Sequence, residues 1–78
     1  MKQKILKILS KVLNVPLDGL NEKSSIESIE EWDSLKHINL ILALEEEFGV
    51  KFSETEVTES LNVEAIFKTL SGKLPQAQ

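Results

Sequence analysis

Three consecutive residues, Asp33, Ser34 and Leu35, carry the most specific chemical signal in the chain. They follow a long loop and stand where an apolar helix is predicted to begin. A serine at that position exposes its hydroxyl, and the free amides and positive dipole end of the helix favour a phosphate attached to it. Asp and Ser are also ordinary helix-capping residues, so these three residues alone are compatible with a modification site or with a plain helix cap.

His37 is the one candidate base for Ser34, since the chain contains a single histidine. It falls on a different side of the predicted helix from Ser34 and inside the apolar arc, so we expect a partly buried structural histidine. A self-contained serine hydrolase is therefore disfavoured, also because 78 residues cannot enclose a deep cavity. With no cysteine and no acids spaced as in a calcium loop, no metal site is expected.

The composition, 41% hydrophobic and 28% charged, is typical of one globular domain stabilised by its hydrophobic core. We expect residues 1–74 to form that domain and residues 75–78 to be a flexible tail. The longest apolar run, residues 40–44, is too short for a membrane span, and lysines interrupt the N-terminal stretch, so no signal peptide is expected. These features favour a monomeric cytoplasmic protein that binds or carries a ligand, and not an enzyme.

Charge is unevenly distributed along the chain, whose net charge is −4. Residues 1–14 contain four lysines and no acid, whereas residues 15–78 contain five lysines and thirteen acids, a balance of −8. A largely acidic surface repels phosphate backbones, which argues against nucleic-acid binding and favours partners with basic faces.

The elements that must position Ser34 are predicted from apolar spacing. Ile5, Ile8, Leu9 and Val12 recur as on one face of a helix over residues 2–13, which Pro16 and the following turn residues end. A long loop over residues 21–33 follows. Its apolar residues recur every third position, so we expect them to pin the loop to the core: Ile26, Ile29 and Trp32.

The strongest helix is predicted over residues 34–48, where apolar side chains span an arc of roughly 220°, which indicates a central helix. Gly49 is suited to its C-cap, and Ser53 with Glu56 forms a capping box for a short helix over residues 54–59. Asn62 caps a last helix whose apolar stripe ends at Gly72. The predicted fold is all-α, a small antiparallel bundle of three main helices plus one short helix, with a long first loop.

This order of elements, together with Asp33-Ser34-Leu35 and the run over residues 43–49, resembles the acyl carrier protein family over residues 2–73. The resemblance implies that Ser34 is the attachment point of 4′-phosphopantetheine, transferred from coenzyme A by a separate magnesium-dependent phosphopantetheinyl transferase. Ser34 would be the substrate of that enzyme, and the thiol of the arm would carry an acyl group as a thioester. Asp33 and Leu35 would belong to the surface that the transferase and later enzymes recognise.

The resemblance also implies two further groups of residues. Acyl-loading, condensing or acyl-transfer enzymes would carry basic patches, and these patches would bind Glu45, Glu46 and Glu54. An acyl chain would lie between the helices, against six residues that are equally suited to an ordinary core: Ile38, Leu42, Phe52, Val57, Leu61 and Ile66.

Several residues near Ser34 depart from the pattern of the common fatty-acid-synthesis members. Glu31 and Trp32 replace a glycine and a small residue, and three residues replace a more acidic early helix: Lys36, His37 and Asn39. An indole beside the attachment site and a less negative docking face favour a specialised carrier, serving polyketide, modified-lipid, polysaccharide-acylation or aminoacyl chemistry. The leading hypothesis is an acyl carrier in fatty acid, polyketide or related lipid biosynthesis. An aminoacyl or peptidyl carrier and an unmodified acidic helical adaptor are the alternatives.

Overall fold

Four α-helices and one short 3₁₀ turn make up the structure, a computed structural model that describes residues 2–74. The helices are α1 (Lys2–Leu13), α2 (Ser34–Phe48), α3 (Glu54–Glu59) and α4 (Val63–Lys73), and the 3₁₀ turn covers Leu17–Gly19. Within residues 2–74 there is no strand, only an isolated bridge between Ser25 and Asn62. The predicted all-α fold is confirmed. The predicted tail at residues 75–78 lies outside the described residues.

The core forms where α1 packs against α2 and α4. Each of these helices turns one apolar stripe inward, and burying a side chain of this size stabilises the fold by about 1.5–3 kcal/mol. The buried side chains of the three stripes are Ile5, Leu9, Leu13, Leu40, Ile41, Leu44, Val63, Ile66 and Leu70.

Only part of the apolar arc of α2 is buried, although the width of that arc predicted a central helix. Leu35 and Leu42 are 71% and 58% exposed, and Ile38 is half exposed. The reason is that α1 covers one side of α2, while the opposite flank of the helix faces solvent. We call Leu35, Ile38 and Leu42 the exposed α2 flank.

The loop between α1 and α2 is held to the core, as its apolar spacing predicted. Trp32 is buried, and Ile26 and Ile29 pack against the core. The backbone amide of Ile26 donates to the carbonyl of Leu61, and the amide of Val63 donates to the carbonyl of Ser24. These bonds join the loop to the connection between α3 and α4.

The predicted helix ends are observed with one difference. Gly49 adopts the left-handed conformation at φ 65°, Ser53 and Glu56 form the capping box, and Asn62 caps α4. However, α4 continues through Gly72 to Lys73, one residue beyond its predicted end. Lys73 pairs with Glu56 of α3, and this contact favours the extra helical residue.

Candidate functional site

Ser34 is the first residue of α2, and its side chain is exposed. The cap of this helix is made by Asp33, whose carboxylate accepts from the amide of Lys36 at 2.8 Å and whose carbonyl accepts from the amide of His37 at 2.8 Å. Because Asp33 makes the cap, the Ser34 hydroxyl is presented to solvent at the positive end of the helix dipole.

An apolar cleft of about 390 Å³ opens beside Ser34. Its walls come from three parts of the chain: the loop before α2, the first turns of α2, and α3 with the connection that follows it. The cleft is lined by Ile26, Ser34, His37, Ile38, Val57, Thr58 and Leu61. An extended group attached to Ser34 would therefore have an apolar surface within reach.

Three of the six predicted wall residues, Ile38, Val57 and Leu61, line this cleft. The structure places the other three elsewhere. Leu42 lines a separate depression near the end of α2, Phe52 is half-buried with the ammonium of Lys73 5.9 Å from its ring centre, and Ile66 is fully buried in the core. The reason is that Leu42 lies in the second half of α2, Phe52 lies in the connection between α2 and α3, and Ile66 lies on the inward face of α4.

Sequence reasoning missed three residues of the cleft wall: Ile26, His37 and Thr58. The threefold spacing of the loop had placed Ile26 against the core, which is a usable signal. Thr58 carries no such signal, because its position follows from how α3 packs.

His37 is buried, 6% exposed, and both of its ring nitrogens are hydrogen bonded. The indole Nε1 of Trp32 donates to Nδ1 at 3.0 Å, and Nε2 lies 2.8 Å from the carbonyl oxygen of Val57. The prediction of a structural histidine is confirmed. With both nitrogens engaged, the ring has no free site to take a proton from Ser34, which removes the base that a serine hydrolase needs.

Trp32 is 1% exposed, so the indole that stands beside the attachment site in the sequence lies in the interior, as the spacing of the loop predicted. A tryptophan can be buried when its ring N–H has a partner, and His37 supplies that partner. Two of the departures from the common pattern, Trp32 and His37, therefore form one buried, hydrogen-bonded pair.

The three candidate docking acids have different surroundings. Glu45 is half-buried, and its Oε2 accepts from the amide of Phe52 at 2.7 Å. Glu46 and Glu54 are exposed, on α2 and at the first turn of α3. Glu45 thus has a structural partner within the chain, whereas the carboxylates of Glu46 and Glu54 face solvent.

Glu56 connects α3 to α4. Its Oε1 lies 2.7 Å from the ammonium of Lys73 and accepts from the amide of Ser53 at 2.8 Å. The pKa of Glu56 lies below its ordinary value. The hydrogen bond from Lys73 is the main cause, and the hydrogen bond from the backbone amide of Ser53 is the next largest.

A helical bundle that exposes a serine at a helix N-terminus, next to an apolar cleft, has the features of a carrier of covalently attached groups. A family model described as "Phosphopantetheine attachment site" matches residues 3–70. An acyl carrier protein from Buchnera aphidicola subsp. Schizaphis graminum is 41% identical over 63 residues, which cover 80% of this chain and 77% of that protein.

The chain belongs to the acyl carrier protein family. Its members are carriers of 4′-phosphopantetheine rather than catalysts, and they interact with a phosphopantetheinyl transferase and with acyl-handling enzymes. The start of α2 fits this group, because an exposed hydroxyl at the positive end of a helix suits a phosphodiester. Among residues 2–74, no helix is long and apolar enough to cross a membrane, and no set of acids and His37 is arranged to hold a metal ion.

Proposed function

We propose that Ser34 is the residue that carries 4′-phosphopantetheine, and that the chain holds acyl intermediates as thioesters for enzymes of fatty acid, polyketide or related lipid biosynthesis. The observation that carries the proposal is the position of Ser34, exposed at the first residue of α2 and at the edge of the apolar cleft. The family match covers this part of the chain.

Each residue around Ser34 has a defined contribution in this proposal. The phosphopantetheine arm supplies the thiol that forms the thioester. Asp33 fixes the first turn of α2, so that the Ser34 hydroxyl meets the transferase in a preformed geometry. The apolar side chains of the cleft, among them Ile38, Val57 and Leu61, shelter part of the acyl chain from water.

The exposed α2 flank is the surface that we assign to partner enzymes. Leu35, Ile38 and Leu42 form an apolar stripe that begins next to Ser34 and extends along the helix. Glu46 and Glu54 are exposed and provide negative charge for basic patches on the partners, which speeds association. Asp33 and Leu35 are the neighbours of Ser34 in the chain, and in this proposal the transferase recognises them.

Intact-mass measurement tests the attachment site. The chain is incubated with coenzyme A, magnesium and a broad-specificity phosphopantetheinyl transferase, and we expect a mass gain of one phosphopantetheinyl group. Ser34→Ala should abolish the gain. Ser53→Ala is the matched control, because Ser53 is also an exposed serine at a helix N-terminus but does not line the cleft; this variant should still be modified.

An unchanged mass with several transferases would overturn the proposal and favour the unmodified adaptor. Modification that persists in Ser34→Ala would place the attachment site elsewhere.

The apolar lining of the cleft supports an acyl cargo over an aminoacyl one. To test this, octanoyl and alanyl forms of the modified chain are compared by NMR. The octanoyl form should shift the methyl signals of Ile38 and Val57, while the alanyl form should leave them near their positions in the unloaded protein. Equal shifts with both groups would argue for an aminoacyl or peptidyl carrier.

A further inference from the structure

Trp32, His37 and Val57 form a buried hydrogen-bonded chain that joins three separate segments. The donor at one end is Trp32 in the loop, the middle residue is His37 in the first turns of α2, and the acceptor at the other end is the carbonyl of Val57 in α3. The two distances, 3.0 and 2.8 Å, are those of good hydrogen bonds.

The chemistry of the two end groups fixes the direction of this chain. An indole N–H only donates, so Nδ1 of His37 must accept. A carbonyl only accepts, so Nε2 must carry the hydrogen and donate to Val57. Trp32 therefore selects the one neutral form of His37 that can bind α3.

The helix α3 depends on such contacts more than the other helices do. It has six residues, too few to be stable alone, and none of the six is buried. The carbonyl of Val57 lies in the last turn, where helix carbonyls lack partners within the helix. His37 supplies the missing donor for Val57, and on the neighbouring residue Lys73 pairs with Glu56. Two consecutive residues thus tie α3 to α2 and to α4.

The bond between His37 and Val57 also spans the cleft beside Ser34. Both residues line the cleft, one from the α2 wall and one from the α3 wall. The separation of these two walls is therefore set at this point by a hydrogen bond whose geometry Trp32 controls.

We propose that Trp32 and His37 are positioning residues that set the width of the cleft, and hence the length of acyl chain that can be sheltered next to Ser34. This inference rests on the proposed function, since it concerns a chain attached at Ser34. With the bond intact, α3 is held close to α2 and the cleft shelters short chains best. When the bond is lost, α3 can move outward and longer chains gain shelter.

The test compares how well the protein protects thioesters of different chain length. Full-length chain is loaded with butanoyl, octanoyl or dodecanoyl phosphopantetheine, loading is verified by mass, and cleavage by hydroxylamine is timed. In the natural chain, protection should decline from octanoyl to dodecanoyl. In His37→Ala, cleavage of the dodecanoyl form relative to the octanoyl form should slow by about 2- to 10-fold, the factor that the loss of one hydrogen bond implies.

Two further variants separate positioning from general loss of stability. In His37→Gln the amide nitrogen can still donate to Val57, so this variant should keep the chain-length preference of the natural protein. Trp32→Phe removes the donor that orients His37 and should shift the preference in the same direction as His37→Ala, to a smaller extent. Ile5→Val changes a buried core residue of α1 that does not line the cleft, so it should lower the melting temperature without moving the preference.

The outcomes are distinguishable from those that test the carrier role. Failure to load Ser34 overturns the proposed function itself. Normal loading with the same chain-length preference in the natural chain and His37→Ala overturns only the present inference. An equal shift of the chain-length preference in Ile5→Val would also overturn it, and so would an absence of protection at every chain length.

Discussion

At the residue scale, the adjacent residues Asp33 and Ser34 differ in what they do at the start of α2. Both are good N-cap residues, and in this chain the carboxylate of Asp33 takes the amide of Lys36. Ser34 then falls one position further on, inside the helix, with its hydroxyl exposed. A capping serine would have its oxygen engaged by a backbone amide, so the order Asp-Ser leaves the Ser34 side chain exposed at the start of the helix.

Glu45 and Glu46 are neighbours that should respond differently to the same substitution. Glu45→Ala removes the acceptor of the Phe52 amide and should lower the free energy of unfolding by about 1–2 kcal/mol. Glu46→Ala changes an exposed side chain and should stay within about 0.5 kcal/mol. Chemical denaturation of both variants checks this. If Glu45→Ala proves as stable as Glu46→Ala, the bond to Phe52 contributes nothing, and Glu45 is as free to bind partners as Glu46.

For Trp32 and His37, the sequence predicts the burial of each residue but not the hydrogen bond between them. The helical wheel placed His37 inside the apolar arc, and the loop spacing placed Trp32 against the core, and both placements are observed. Their mutual hydrogen bond could not be inferred, because it depends on how the loop returns across the first turn of α2.

At the scale of elements, α3 illustrates how a helix too short to be stable alone is kept in place. Its start is set locally by the capping box of Ser53 and Glu56, which the sequence predicts because the two residues are three apart. Its attachment to the bundle is not local. Glu56 also pairs with Lys73 of α4, so one carboxylate serves the cap and the contact between helices.

The lowered pKa of Glu56 predicts a pH-dependent contribution to stability. A carboxyl group with a lower pKa in the folded state than in the unfolded state stabilises the fold at pH values above its ordinary pKa. That contribution is lost as the pH falls through the lowered pKa of the folded state. Unfolding of the natural chain and Glu56→Gln should therefore differ most near neutral pH, with the natural chain more stable, and the difference should shrink in acid.

Lys73→Met provides the control for this pH dependence, because Lys73 is the main cause of the lowered pKa. In the Lys73→Met background, replacing Glu56 by Gln should have a smaller effect at neutral pH, and its pH dependence should be weaker. The same pH-dependent difference in both backgrounds would contradict the assigned role of the ion pair.

The sequence predicted where the helices begin and end better than it predicted which of their faces other elements cover. The bounds of α1 to α4 agree with the predicted ones to within one residue, because the signals that begin and end a helix lie close to it in sequence. The width of the buried face of α2 was overestimated, because an apolar arc does not say whether another element covers it. In acyl carrier proteins, which work through partners, an apolar surface left uncovered by the fold is consistent with use as a docking surface.

At the scale of the whole molecule, the positive charge of α1 is partly compensated by acidic side chains from the rest of the chain. Lys2 lies 3.6 Å from Glu22 of the loop, and Lys4 lies 3.6 Å from Glu47 of α2. Both ion pairs are largely exposed, so each contributes about 0–1 kcal/mol. Stability therefore depends on the hydrophobic core and not on these ion pairs.

Leu42 and Leu44, two leucines on the same helix, provide a direct test of this division between core and surface. Leu44 is fully buried where α1 and α2 meet, so Leu44→Ala should lower the free energy of unfolding by about 2–5 kcal/mol. A domain of this size has about 5–15 kcal/mol in total, so the variant should be close to unfolding at body temperature. Thermal and urea denaturation measure the loss.

Leu42→Ala makes the same chemical change at a side chain that is 58% exposed and should cost no more than about 0.5 kcal/mol. Its effect should appear instead in the interaction with partner enzymes, as a raised KM for the phosphopantetheinyl transferase or for an acyl-transfer enzyme. A large loss of stability in Leu42→Ala, or an unchanged KM, would mean that the exposed α2 flank is not a docking surface. Similar melting of Leu44→Ala and the natural chain would show that the core has been misassigned, because no fold this small tolerates such a cavity without cost.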